Sequence, residues 1–357
     1  MGVKGLSGKV QTVLGTIDAE DLGVTLPHEH FLVDTAVRFR EPKVPSEKFM
    51  AHQPVTMQNL GWIHYHPTSN LDNLQLLDEK VATSEASRYK IAGGDSVVDM
   101  TNIGLGRDPL ALARISRATG LNIIMGSGYY VKETIPSEIK LTEEIITEEI
   151  VHDITVGVDN TGIRAGIIGE VGTEWPIRDI EKMSLRASAH AQKQTGAPMN
   201  IHCGNSPACP FEIIEVLDKA GADISRVVMS HIDIRIFDHD TRVQLAKAGC
   251  YLEYDCFSFE GWYQRRMVLS EDNPIKCDIP NDAERINQIM ALINEGFVNQ
   301  ILISHDHCLK YRLWHYGGPG YAHILENVVP LMREKGMSEE HINTILIDNP
   351  KRLLQFV

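Results

Sequence analysis

Gly23-Val24-Thr25-Leu26-Pro27-His28-Glu29-His30 opens an apolar run that continues to Val33 and reads as a strand. Side chains at i and i+2 of a strand point to one side, so the imidazoles of His28 and His30 converge on one point. Such a pair is half of a metal site. The pair gains weight because four later strand ends each supply one more candidate ligand.

Outward from this stretch, residues 8–26 alternate modestly, with Asp18 to Asp21 as polar turn residues, and predict a short β-hairpin leading into the first core strand. After it, residues 34–75 lose all periodicity and hold Pro42, Pro45, Pro54 and Pro67 with Trp62, Tyr65 and several histidines. A loop this long in a compact enzyme is usually functional, so 34–75 is expected to be a lid or cover. The chain then alternates. Leu76 to Ile91 predicts a helix stopped by Gly93-Gly94, and Ser96 to Thr101 a buried strand. Asp108 and Pro109 open the next helix as N-cap and first-turn proline, and Gly120 closes it. Further short apolar strands fall at Asn122–Gly126, Ala165–Val171, Met199–His202, Val227–His231, Cys250–Tyr254 and Gln300–Ser304. Eight such strands alternating with helices predict an α/β fold, a (β/α)8 TIM barrel of parallel strands. The expectation is a single barrel domain over 1–357, with no linker dividing it.

In such barrels the active site lies at the carboxyl ends of the strands. Strand one ends in His28 and His30, strand four in Glu170, strand five in His202, strand six in His231 and strand eight in His305-Asp306. Four histidines and two carboxylates at one end of one barrel are hard to explain as packing, because buried charge needs compensation. Six ligands exceed one tetrahedral zinc and suit two ions sharing a bridge, for which Glu170 offers two oxygens.

The formal charge of −14 argues against nucleic acid or an anionic membrane as partner. Six scattered cysteines without a CxxC pair fit reduced thiols in a cytoplasmic enzyme. The sequence shows no signal-peptide pattern and no apolar run near the roughly 20 residues of a membrane helix.

The segments Gly23 to His30, Asn102-Ile103-Gly104-Leu105-Gly106-Arg107-Asp108, Gly126-Ser127-Gly128-Tyr129-Tyr130, the lone His202 and His231, Ser304-His305-Asp306 and Asn349-Pro350 resemble the phosphotriesterase-related branch of the amidohydrolase superfamily. The resemblance spans nearly the whole chain. It implies a binuclear metal hydrolase in which His28, His30 and Asp306 bind the more buried ion and His202 and His231 the more exposed one. Glu170 takes the bridging place that a carboxylated lysine holds in the best-known members. The two divalent ions are expected to be zinc, with manganese or cobalt as alternatives. Asp306 is expected to orient the attacking water and take its proton, with His231 or His305 as relay. Tyr130 matches a pocket tyrosine of the lactonase members, and Tyr129 and Trp175 are candidate substrate walls.

Carboxylate esters or lactones are the expected substrates, with promiscuous hydrolysis of organophosphate or phosphonate esters. A sugar-phosphate lactonase is the alternative and needs Arg265, Arg266, Lys310 or Arg312 in the pocket. A phosphotriesterase, and a ligand-binding protein that keeps the metal without turnover, are further alternatives. Cys256 follows Asp255 where acyl-homoserine lactonases often carry arginine, which counts against a quorum-signal lactone. The lid aromatics Trp62 and Tyr65 point to an apolar pocket. A homodimer is the family expectation.

Overall fold

The computed structural model describes residues 6–135, 140–259 and 279–357. Eight strands form one parallel sheet in chain order: β1 Thr25–Glu29, β2 Ser96–Asp99, β3 Asn122–Ser127, β4 Ile167–Gly172, β5 Met199–His202, β6 Val227–Met229, β7 Tyr251–Tyr254 and β8 Ile301–Ile303. Helices return the chain between them, and the sheet curls into a nearly closed TIM barrel. Alternate residues face opposite sides, as the strand period of two requires. Val97, Ile123, Ile168 and Met199 join the large core shared with the helices, whereas Val98, Ile124 and Ile167 form a separate buried cluster.

The seam between β8 and β1 is closed by side chains. Ser304 accepts from the His28 amide (3.2 Å), and its hydroxyl lies 2.7 Å from the His28 carbonyl. The Asp306 amide donates to that same carbonyl (3.3 Å). Buried Glu29 sits beneath the seam. Its carboxylate accepts from the backbone amides of His305 and His307 and lies 2.6 Å from His305 Nδ1. The strand that carries the first two histidines therefore also shapes the loop that carries Asp306.

The N-terminal hairpin is present, but its turn lies earlier than expected. Lys9–Thr12 pairs antiparallel with Gly15–Asp18, and Ala19–Asp21 is a short 3-10 turn. The Val10 and Leu22 side chains are drawn into the cluster beneath β2, β3 and β4, so the apolar alternation reports two contacts rather than two paired strands. The helix at Asp108 forms as predicted. The Asp108 side chain accepts from the Ala111 amide, Pro109 begins the first turn and Gly120 closes the helix at φ 71°.

Residues 34–75 are built of short 3-10 pieces and one helix, Leu60–Tyr65. Val55, Ile63 and Leu74 bury against Leu309 and Tyr311 of the loop after β8. Asp72 pairs with Lys310 (2.6 Å) and Asn73 accepts from the Tyr311 amide (3.0 Å). This segment lies over one side of the barrel mouth.

Candidate metal centre

The six strand-end side chains converge in two groups. His28, His30 and Asp306 offer ligand atoms within 4.8 Å of one another, and so do Glu170, His202 and His231. Glu170 Oε1 lies 2.8 Å from His202 Nδ1, 3.0 Å from His231 Nε2 and 3.8 Å from His28 Nε2, so it stands between the groups. Asp306 Oδ1 lies 3.3 Å from His30 Nε2.

Each of three imidazoles is held by one ring nitrogen and presents the other. His28 Nδ1 meets Glu253 (3.0 Å), His30 Nδ1 meets Thr101 Oγ1 (2.9 Å) and His231 Nδ1 meets Asp255 (2.8 Å). This outer hydrogen bond sets which nitrogen is free, as in metal sites generally. His28 Nε2 is buried and has no hydrogen-bond partner. A buried nitrogen without a partner costs free energy that an ion would remove. His231 and Asp306 both adopt left-handed backbone conformations (φ 62° and 51°), which non-glycine residues take up at a cost that the surrounding structure must offset.

The electrostatics agree. Burial lowers His202 to about 4, against the pull of Glu170, which leaves its imidazole neutral near pH 7. Burial works to raise Glu170, but its interactions with His202 and His28 and the hydrogen bonds of His202 and His231 outweigh it and hold the carboxyl well below its usual range. Asp306 is likewise raised by burial and lowered further by the His30 hydrogen bond and by His28 and His231, for a net depression. Burial opposes charge on His28 and His231, yet Glu170 acting on the first and Asp255 on the second raise both well above an ordinary histidine. The carboxylates thus demand positive charge, which protons on the imidazoles or divalent cations can supply. The donor set of four imidazoles and two carboxylates fits two such cations.

Five of these six side chains floor a cavity of about 120 Å³. His30, Glu170, His202, His231 and Asp306 line it, with Thr35, Val37, Arg38, Thr68 and Leu74 from the covering segment. Tyr130 lines it as expected, its hydroxyl 3.2 Å from His202 Nδ1. The other two expected walls are placed elsewhere. Tyr129 donates its hydroxyl to Glu149 (2.5 Å) and packs in the main core, because adjacent residues leaving a strand face opposite sides. Trp175 packs partly buried against that core, and its neighbour Glu174 reaches the cavity instead. Trp62 stacks on His66 (4.6 Å between centroids), and neither Trp62 nor Tyr65 lines the cavity. His305 is committed to Glu29 and to the Ile324 amide. Of the loop cations, Lys310 is paired with Asp72, and Arg312 donates to the carbonyls of Asp306 and Phe257. Arg265 and Arg266 lie outside the described residues.

Several functional residues went unseen in the sequence. Glu253 and Asp255 stand two apart at the end of β7, the same spacing that singled out His28 and His30, and that signal was available. Thr101, Arg38, Glu174 and Arg235 reach the site from loops or helix ends, where no periodicity marks them.

Residues 8–354 match the model of the phosphotriesterase family. The chain belongs to the phosphotriesterase family. Among relatives of this family, the N-acetyltaurine hydrolase of Xenopus tropicalis is 44% identical over 353 residues, covering 98% of this chain and 99% of that protein. A resiniferatoxin-binding protein from Rhodobacter sphaeroides superposes with a TM-score of 0.93 at 32% identity, over 99% of this chain and 98% of its own. A lactonase from Listeria monocytogenes superposes with a TM-score of 0.76 at 26% identity, over 98% of this chain and 99% of its own. The phosphotriesterase-family membership makes this chain a hydrolase, and its described residues contain no helix long and apolar enough to cross a membrane.

Proposed function

We propose that this chain is a binuclear metal-dependent hydrolase that cleaves the amide bond of a small N-acylated amino acid, with N-acetyltaurine as the model substrate. The observation that carries the reading is the convergence of His28, His30, Glu170, His202, His231 and Asp306 in two adjoining groups, five of them on the floor of one cavity. The likeness to the N-acetyltaurine hydrolases supports the amide over the ester that the sequence alone favoured.

Two divalent ions held by these six residues would supply Lewis acidity and a water acidic enough to attack near neutral pH. The protein's own groups do the rest. Asp306, whose carboxyl stays ionised, is placed to accept the proton of the attacking water. Tyr130, with its hydroxyl beside His202, is placed to donate to the scissile carbonyl oxygen. The C–N bond breaks as the water oxygen bonds to the acyl carbon, and the proton held by Asp306 passes to the leaving nitrogen. Acetate and a primary amine result.

Ester and lactone hydrolysis is the second reading, supported by the Listeria likeness and by the Tyr130 hydroxyl at the cavity wall. For a phosphorylated lactone, Lys310 and Arg312 do not line the cavity, and Arg265 and Arg266 lie outside the described residues. The test loads the protein with zinc or manganese and measures acetate release from N-acetyltaurine beside turnover of an aryl acetate, a plain lactone and an aryl phosphotriester. N-acetyltaurine should lead, and Asp306→Asn should abolish its turnover. A lactone or aryl ester far ahead, with no acetate from the amide, would sink the amide reading.

A further inference from the structure

Two guanidinium groups line the cavity, and they are in opposite states. Arg38 is spoken for. It pairs with Glu174 (2.7 Å), donates to the Tyr130 hydroxyl (3.3 Å) and lies over the Tyr130 ring. Arg235 is only 3% exposed, and its Nε donates to the Cys203 carbonyl (2.8 Å). Its Nη1 is buried with no hydrogen-bond partner. A charged donor left unpaired at such a place is costly, and a bound anion would relieve the cost.

The local chain sets where this charge stands. Arg235 ends the short helix Ile232–Arg235 that begins right after His231, and Cys203 directly follows His202. The Nε tie therefore pins the guanidinium beside both ligands of the Glu170 group. Nearby Glu174 would repel an acidic substrate, but Arg38 cancels its charge. The wall thus has one paired cation, one cation with a buried unpartnered nitrogen, and a floor of ligands.

We propose that Arg235 anchors the acid group of the substrate, a sulfonate or carboxylate, while the scissile carbonyl lies over His202, His231 and Asp306. The nature of the scissile bond rests on the amide reading above; the anion site does not. Arg235 is then the specificity determinant that separates acidic acyl amides from neutral ones.

The test compares metal-loaded wild type with Arg235→Met on N-acetyltaurine and on N-acetylethanolamine, in which a neutral hydroxyl replaces the sulfonate. Binding of ethanesulfonate is measured in parallel by calorimetry, which needs no turnover. Wild type should prefer the sulfonate. In Arg235→Met the ratio of kcat/KM for the sulfonate over the neutral amide should fall about 10- to 150-fold, the range for losing a charge-assisted hydrogen bond, and should fall through KM. Ethanesulfonate should bind more weakly by a similar factor. Arg235→Gln carries the same comparison if the methionine variant does not fold. An unchanged ratio with unchanged ethanesulfonate binding would overturn the proposal, as would a wild type that neither prefers the sulfonate nor binds ethanesulfonate. If neither amide turns over but an aryl acetate does, the amide reading falls while ethanesulfonate binding still decides the role of Arg235.

Discussion

At the scale of single residues, the site is governed by carboxylates that never face the cavity. Asp255 accepts from the His231 amide and meets His231 Nδ1, and it also lies 3.3 Å from His28 Nδ1. It holds one imidazole of each ligand group. Burial raises its pKa, but His231 and His28 overcome this and keep it ionised far below the usual range. Asp255→Asn keeps the shape and removes the charge, so metal affinity should fall about 10- to 100-fold. Metal titration followed by fluorescence or calorimetry reads this directly, and unchanged affinity would remove Asp255 from the site. Glu29 is a different case. Its carboxylate receives two backbone amides of the loop carrying Asp306, and an amide in its place would turn a donor towards a donor. Glu29→Gln should cost about 2–3 kcal/mol in urea unfolding and should also weaken metal binding, because the Asp306 loop loses its anchor.

Elements were legible wherever a local rule decided them. The helix Pro109–Thr119 carries its own start and stop, so its ends can be tested apart from the site. Asp108→Ala should cost about 1 kcal/mol by losing the cap. Gly120→Ala should cost about 1–2 kcal/mol because φ 71° disfavours a Cβ, although no atom lies within 4 Å to clash with it. The two effects should add, since the ends of the helix share no partner. A shift of the urea midpoint with unchanged kcat would place both changes in stability alone. The covering segment shows the opposite situation. Its aromatic residues suggested a cavity wall, but Trp62 stacks on His66 away from the cavity, and small or aliphatic residues such as Thr35, Val37 and Leu74 reach it. Without periodicity, sequence offers no rule for which side of a loop faces inward.

Across the whole molecule, metal and fold are coupled. The strand ends gather four imidazoles and two carboxylates, and divalent ions would balance that charge and tie five strands of the barrel together. Removing metal with a chelator should lower the melting temperature, and about two equivalents of zinc or manganese per chain should restore it. At a free ion concentration 100-fold above Kd, the stabilisation is about 2.7 kcal/mol per site. Protons compete for the same nitrogens, so metal retention should fall as pH drops below neutrality. Melting that ignores the chelator at every pH would deny these residues an ion.

Sequence by itself determined the barrel and the six converging side chains. Both follow from short-range rules: the strand period of two, glycine and proline punctuation, and the placement of chemistry at strand carboxyl ends. Glu253 and Asp255 obeyed those rules too and could have been found beside His28 and His30. Tertiary structure alone decided which side chains became free and which were committed. Lys310 and Arg312 looked open in the sequence and are consumed by Asp72 and by backbone carbonyls, whereas Arg235 drew no notice and keeps a buried donor unpaired. The reason is physical: a charge is spent or spare according to partners brought from distant strands, and no local pattern records them.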